Sequence, residues 1–189
     1  MGNRGQGAGL KRFDLLVRRV QPLFALGRSG ATACCRALGA ASLLLMAGSV
    51  AVAGECRDDK VTLRGDWGQA SFTVELADDE AERNQGLMFR ESMPKSAGML
   101  FIYPGPSDRI GFWMKNTLIP LDMVFLDETG TVRRIHVNAI PHDERPIMGG
   151  PGIMAVLEIN GGLAEVMGIT EGSQMRHPAF GKDVAAWPC

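Results

Sequence analysis

The stretch GFWMKNTLIPLDMVF, residues 111–125, combines aromatic and aliphatic side chains with polar ones. It holds one of the three Trp and two of the eight Phe, and its polar residues are Lys115, Asn116, Thr117 and Asp122. A stretch this apolar is expected to be mostly buried, and buried polar groups must find hydrogen-bond partners. Such a local conflict between environment and residue type often marks a functional site.

Short strands separated by turns are predicted on both sides of this stretch. Residues 70–76 alternate between apolar and polar side chains, which is typical of a half-buried strand. Residues 110–114 predict a buried strand, and residues 121–126 and 131–139 flank the hairpin signal at 127–130. About seven short strands and little helix predict a mainly β fold, either a single compact β-sandwich or a small barrel.

Two short helices are predicted within this β pattern. Asp79 and Glu82 have capping-box spacing at the start of a helix that ends at Gln85, before Gly86. Arg83 lies on this helix. The second helix, at residues 163–167, covers one or two turns.

Residues 1–53 differ in charge from the rest of the chain. They carry seven of the 20 basic and one of the 21 acidic residues, which leaves 13 basic and 20 acidic residues in 54–189. Residues 37–54 are uncharged, and Ala-Val-Ala at 51–53 follows the small-residue pattern of a cleavage site. We therefore expect residues 1–53 to be removed as a signal peptide with a basic leader. The remaining single globular domain, 54–189, is then periplasmic or secreted.

The alternative for residues 37–54 is an uncleaved membrane anchor, because the run is close to the ~18 residues needed to span a bilayer. Its many Ala, Gly and Ser residues make it a poor anchor, so no stable membrane span is expected after cleavage. The acidic balance of 54–189 argues against binding to nucleic acid or to anionic membranes. The sequence carries no signal for a particular oligomeric state.

Two of the four cysteines, Cys34 and Cys35, lie in the leader. Cys56 lies near the start of the remaining domain, and Cys189 is the last residue. Because termini often lie close together and the expected compartment is oxidising, we predict a Cys56–Cys189 disulfide. It would contribute roughly 4–5 kcal/mol in the chain-entropy model. The alternative is two free or intermolecular thiols. No CxxC motif supports a redox or zinc role.

Five ordered phrases resemble a known family, and they are RNQGLMFR (83–90), GMLF (98–101), FWMKNT (112–117), IPLD (119–122) and NGG (160–162). Together they are similar to the domain-of-unknown-function family 192, a group of small proteins that are often exported from prokaryotic cells. The resemblance covers roughly residues 61–178. It implies a compact β-sandwich of jelly-roll-like character, but it implies no activity and no catalytic residues.

Asp122 is the first candidate for chemistry. A two- or four-residue hairpin loop places it on a face with Val124, Ile135 and Val137, and places His136 on the other face. A buried Asp pairs with a cation, accepts backbone N–H groups or has a raised pKa. The functional interpretation is a ligand anchor, or an acid–base residue that acts with His136 in a hydrolase of envelope or polysaccharide material. The structural interpretation is an acceptor for backbone amides or for Arg83.

Trp113 together with Lys115, Asn116 and Asp122, with Arg83 as a neighbour, has the composition of a small-molecule pocket. An aromatic ring covers the C–H face of a sugar, and the polar groups bind its hydroxyls. We therefore predict a non-catalytic module that binds a small polar or carbohydrate-like ligand, and whether it is also an enzyme stays open. The structural alternative is that polar side chains in the turn at 116–117 satisfy the local backbone.

Metal sites are not predicted, with one alternative. The three His, at 136, 142 and 177, lack the spacing of zinc ligands. Thioethers favour Cu(I), and nine Met follow the leader. The methionines of one region are Met88, Met93, Met99, Met114 and Met123. Copper handling is therefore an alternative, but the surrounding apolar runs favour core filling. No cofactor is predicted.

Overall fold

The computed structural model describes residues 56–189, which form nine strands and two short helices. The strands are β1 (Lys60–Gly65), β2 (Gly68–Ala77), β3 (Ala97–Ser107), β4 (Gly111–Phe112), β5 (Leu121–Asp127), β6 (Val132–Ala139), β7 (Ile147–Met148), β8 (Ile153–Asn160) and β9 (Gln174–Arg176). The helices are α1 (Glu80–Gln85) and α2 (Leu163–Met167). The predicted mainly β fold with one or two short helices is confirmed. The predicted signal peptide, its cleavage site and the alternative anchor lie outside the described residues.

Seven strands form one curled sheet in the order β6-β5-β8-β3-β2-β1-β9, and β4 and β7 form a small second sheet. Only β2 and β3 pair in parallel within the large sheet; its other neighbours are antiparallel. The two edges approach each other at one end, where Val132 N–H donates to the Ser173 carbonyl at 2.8 Å. The curled sheet is a half-barrel, so the small-barrel alternative describes it best. Within residues 56–189, no helix is long and apolar enough to cross a bilayer.

Both faces of the sheet are covered at β5, which is why this strand is buried along almost its whole length. Val124 and Leu126 pack in the first core, with side chains from β1, β2, β8 and β9. The alternate residues Met123 and Phe125 pack in a second core, against β3, β4 and the segment after α1. The period-two alternation of a strand thus divides one apolar sequence between two cores.

The segment 110–114 is shorter as a strand than its apolar sequence predicts. Only Gly111 and Phe112 pair, and they pair with β7 in the small sheet. Met114 instead holds a turn, because its carbonyl accepts the N–H groups of Thr117 and His142. Asn116 is in the left-handed region with φ 53°. The prediction of a buried strand through residue 114 is therefore wrong at its C-terminal end.

The two ends of the described chain are joined. Cys56 and Cys189 form a disulfide with their Cα atoms 5.8 Å apart. Nearby, the His177 ring bonds the Asp58 carbonyl through Nε2 at 2.9 Å and accepts the Ala179 N–H at Nδ1. Burial lowers the pKa of His177, and the two bonds together specify the neutral ring. The segments before β1 and after β9 are thus fixed to each other.

The carboxylate of Asp122 joins three elements of the fold. It is fully buried on the first-core face of β5. One oxygen accepts the N–H groups of Asn138 and Gly162 at 2.6 and 2.7 Å, and the other accepts the Ala164 N–H at 2.7 Å. It therefore fixes the irregular end of β6 and the first turn of α2. This agrees with the structural interpretation, in which Asp122 accepts backbone amides.

Replacing Asp122 with Asn should lower the free energy of unfolding by about 3 kcal/mol. Each carboxylate oxygen faces a backbone N–H, so the amide nitrogen of Asn must meet a donor whichever way it turns. Urea unfolding at pH 7 measures the change, with the exposed Asp66→Asn as matched control, which should stay within about 0.5 kcal/mol of the wild type. Equal stability of the two variants would contradict the three-bond arrangement.

Candidate functional site

A cavity of about 440 Å³ adjoins the second core, beside α1. Residues from α1 and the turn after it form one wall, and β3, β4 and the start of the following loop form the other. One residue of β8, Glu158, completes the lining. The lining residues are Glu80, Arg83, Asn84, Gln85, Gly86, Leu87, Met88, Phe101, Tyr103, Gly111, Phe112, Trp113, Thr117 and Glu158.

Glu158 is the buried carboxyl group of this cavity. In the sheet register it lies between Met99 of β3 and Met123 of β5, so its side chain is on the second-core face. Only 4 % of the residue is exposed. No hydrogen bond or ion pair joins its carboxyl group to any residue within 56–189. Buried polar side chains nearly always have a partner, so this group is the outstanding polar feature of the site.

Burial decides the protonation state of Glu158. Removal from water disfavours the charged carboxylate, and with no compensating cation this raises the pKa of Glu158 to about 8. At neutral pH the group is therefore mostly a carboxylic acid. It offers one O–H donor and a carbonyl acceptor to whatever enters the cavity.

Arg83 forms a fixed part of the cavity wall. Its Nη1 donates to the carbonyl oxygens of Asp78 and, at 2.8 Å, of Ile102, which ties the last turn of α1 to β3. The guanidinium carbon lies 5.2 Å from the centre of the Tyr103 ring. Burial raises the pKa of Tyr103, and the charge of Arg83 partly opposes that shift. The phenol is thus a neutral donor and acceptor beside a held cation.

Aromatic rings form the opposite wall. Phe112 packs edge to face against Phe101 and Phe125, with ring centres 4.8 and 6.1 Å away. The next residue, Trp113, is 47 % exposed, and the ammonium of Lys115 lies 5.0 Å from its ring centre. The Phe112 ring thus packs against the second core, and the Trp113 ring presents an apolar surface to solvent at the rim of the cavity.

Residues 61–177 match the model of a family named DUF192 and described only as "Uncharacterized ACR". The chain belongs to the DUF192 family. The resemblance inferred from the five phrases is confirmed. No curated protein shows significant similarity to the chain.

Two crystal structures are similar to this DUF192 protein. A protein of unknown function from Novosphingobium aromaticivorans DSM 12444 is 43 % identical with a TM-score of 0.60, over 61 % of this chain and 82 % of that chain. A "putative transcription regulator" from Sinorhizobium meliloti 1021 is 39 % identical with a TM-score of 0.62, over 67 % of this chain and 99 % of that chain. Nearly the whole Sinorhizobium chain is thus matched by two thirds of this one.

Of the five predicted ligand-binding residues, the cavity brings two together, Arg83 and Trp113. Lys115 is outside the lining, with its ammonium 5.0 Å from the centre of the Trp113 ring. Asn116 is also outside the lining: its side-chain amide contacts Met88 Sδ at 4.0 Å, and its backbone carbonyl accepts the Phe89 N–H at 2.8 Å. Of the two turn side chains, it is the Thr117 hydroxyl that bonds the local backbone, by donating to the Lys115 carbonyl at 3.3 Å. Asp122 is outside the cavity, on the other face of the sheet.

The pairing of Asp122 with His136 is not formed. His136 lies opposite Met123 in the β5–β6 register and so shares its face, whereas Asp122 faces the first core. The hydrolase alternative therefore has no catalytic pair at these positions. Among the methionines proposed for copper, Met99, Met114 and Met123 are buried in the second core. Within 56–189, no cluster of His, Cys, Asp and Glu could hold a metal ion.

Glu158 was not among the candidates predicted from the sequence. The signal was present, because it is the one charged residue in the strand IMAVLEIN, residues 153–160. A lone acid in an apolar strand is either paired or functional. The DUF192 fold shows that it is unpaired among the described residues, and that distinction depends on which side chains the sheet places beside it.

Glu158→Gln should remove a pH dependence of stability. The pKa of Glu158 is raised from an ordinary 4.5 to about 8 in the folded protein, so the folded state binds a proton that the unfolded chain releases. The contribution of this proton to the free energy of unfolding is then fully present below about pH 4.5. It falls as the pH rises towards 8, by up to about 1.4 kcal/mol per pH unit. The uncharged Gln variant loses this contribution.

Urea unfolding of the wild type and Glu158→Gln between pH 4 and 9 measures the difference. The stability of Glu158→Gln relative to the wild type should rise with pH through that window and level off above pH 8. The exposed Glu165→Gln is the matched control and should follow the wild-type curve. A constant difference across the window would show that Glu158 has an ordinary pKa.

Proposed function

We propose that this DUF192 domain is an exported module that binds a small, uncharged polyhydroxyl ligand, such as a saccharide unit, in the cavity beside α1. The observation that carries the proposal is the protonated carboxyl of Glu158, which has no partner within residues 56–189 and lines a cavity with aromatic walls. A carboxylic acid both donates to and accepts from a hydroxyl group, which is the hydrogen-bonding pattern of a sugar.

The charges of the cavity favour a neutral ligand. Besides Glu158, the charged groups of the lining are the guanidinium of Arg83 and the exposed carboxylate of Glu80 on α1. With Glu158 protonated, these two opposite charges leave the lining without a net charge. Nη1 of Arg83 already donates to two carbonyl oxygens. The amide groups of Asn84 and Gln85, at the exposed rim, add neutral hydrogen-bonding partners.

The size and the walls of the cavity support the same ligand class. About 440 Å³ lies within the roughly 300–1,000 Å³ of small-molecule sites. The half-exposed ring of Trp113 offers a flat apolar surface for the C–H face of a sugar, and Tyr103 adds a hydroxyl. The composition is therefore apolar on one side and hydrogen-bonding on the other.

A periplasmic or secreted location is part of the proposal. The Cys56–Cys189 disulfide is of a kind that persists in oxidising compartments, and the predicted leader precedes it. A DNA-binding role, which the name of the Sinorhizobium protein would suggest, is not proposed. Residues 54–189 carry 13 basic and 20 acidic residues, the opposite of the balance that phosphate backbones require.

Binding can be tested with residues 54–189 and a panel of neutral, amino and acidic sugars and short glycans, by NMR chemical-shift mapping and calorimetry. A neutral compound should shift the Trp113 indole and the β8 amides. Trp113→Ala should weaken its binding about tenfold, because the stacking surface is lost. Trp187→Ala is the matched control, since Trp187 lies outside this cavity, and should bind normally.

Two substitutions of Glu158 separate the roles of hydrogen bonding and charge. Glu158→Gln keeps a donor group and an acceptor without charge and should retain most of the affinity. Glu158→Leu has neither and should bind at least tenfold more weakly. The proposal fails if no neutral compound perturbs the cavity, if Trp113→Ala and Trp187→Ala bind equally, or if only cationic sugars bind.

A further inference from the structure

A second cavity, of about 170 Å³, lies on the outer face of the sheet where β1 runs between β2 and β9. Val61 of β1 is buried in the first core, so the alternate residues Lys60 and Thr62 point outward and line the cavity. The register places Ser71 of β2 and Arg176 of β9 on either side of Thr62. The floor is therefore made of paired strands, which hold these side chains in fixed relation.

Three cations gather here without a carboxylate partner. They are Lys60 and Arg176 of the lining and Arg64, the next outward residue of β1. None of the three forms an ion pair among the described residues. Arg64 donates instead to the neutral amide oxygen of Gln174, at 2.8 and 3.1 Å. Acidic residues outnumber basic ones in 54–189, so a shortage of acidic residues does not explain these unpaired charges.

The ring of Trp187 lies over two of these cations, Arg64 and Arg176. The guanidinium carbon of Arg64 lies 4.3 Å from its ring centre and that of Arg176 lies 5.8 Å away. Two like charges on one ring repel each other, and the Nε of Arg176 is buried without a hydrogen-bond partner within 56–189. A buried charged donor without an acceptor is unfavourable. An anion in the cavity would offset both effects.

The remaining lining fits an oxyanion. The hydroxyls of Thr62 and Ser71 lie 3.0 Å apart and share one hydrogen, which leaves the other hydrogen for an external acceptor. Among the described residues no carboxylate side chain lines the cavity, and Arg57 at its edge is already paired with Asp59. Cys189 lies two residues beyond Trp187, so its disulfide with Cys56 restrains the Trp187 ring over the cavity.

We infer that this cavity binds a single tetrahedral oxyanion group, phosphate or sulfate, either free or as an ester. Guanidinium groups match the oxygens of such an anion and are weakly hydrated, so they bind it well in a partly buried site. A volume below the roughly 300 Å³ of drug-sized ligand sites admits one such group and not a nucleotide. This site is separate from the cavity beside α1 and does not depend on its ligand.

The experiment uses disulfide-bonded residues 54–189 and follows the Trp187 indole N–H by NMR. Inorganic phosphate or sulfate is added, with chloride as reference, at constant ionic strength so that screening is equal. The two oxyanions should give a saturable shift that chloride does not. Arg176→Gln should weaken binding about tenfold or more, while Arg134→Gln, an exposed arginine of β6, should bind like the wild type.

Two further arms distinguish the source of the group. A sugar phosphate tests a soluble ester, and cosedimentation with vesicles of phosphatidylglycerol or of phosphatidylcholine alone tests a lipid headgroup. If either ester binds and Arg176→Gln removes that binding, the result supports the site and shows whether the oxyanion group belongs to a soluble ester or to a lipid. If Arg176→Gln does not fold, Lys60→Gln replaces it. The inference is overturned if neither oxyanion exceeds chloride and neither ester binds, or if the site variant and Arg134→Gln bind equally.

Discussion

The carboxylate of Asp122 is the constraint on which the arrangement of this domain depends. It is buried at the start of β5, the strand between β6 and β8, and accepts backbone N–H groups of Asn138, Gly162 and Ala164. Those amides belong to the end of β6 and the start of α2, where no ladder or helical bond is available to them. One side chain thus sets where the neighbouring strand ends and where the chain after β8 turns back over the first core.

Glu158, one position away from Asp122 in the β5–β8 register, is an acid whose carboxyl is not bonded by the backbone of the described residues. Asp122 lies opposite Ile159 across the β5–β8 pair, and Glu158 lies opposite Met123. The two acids therefore occupy opposite faces of the same sheet. Asp122 has its acceptors filled by the backbone, whereas Glu158 has methionines for strand neighbours and is accommodated by protonation. A group left unsatisfied at the edge of an open cavity is poised to bond a ligand, and this contrast supports the proposed function.

Much of the fold could be predicted from local sequence. The capping box at Asp79 and Glu82 forms as expected, and the prediction that Val124 and Ile135 share a face agrees with their pairing across β5 and β6. Alternation and turn residues act over a few positions, so they are visible in the sequence. That Asp122 accepts backbone amides was one of its two interpretations, but the amides themselves could not be predicted, because the three donors come from distant parts of the chain. Glu158 was not predicted: it is the one charged residue of its strand, but only the sheet order reveals that β3 and β5 place no cation beside it.

The central claim is that Glu158 keeps its proton in a cavity open to ligand. A ¹³C NMR titration of its side-chain carboxyl carbon in residues 54–189 tests this most directly. The structure predicts a midpoint near pH 8, which moves higher when a neutral saccharide binds, because the ligand's hydrogen bonds favour the protonated form. A midpoint near the ordinary 4.5, or one that does not respond to a ligand bound in the cavity, would contradict the account.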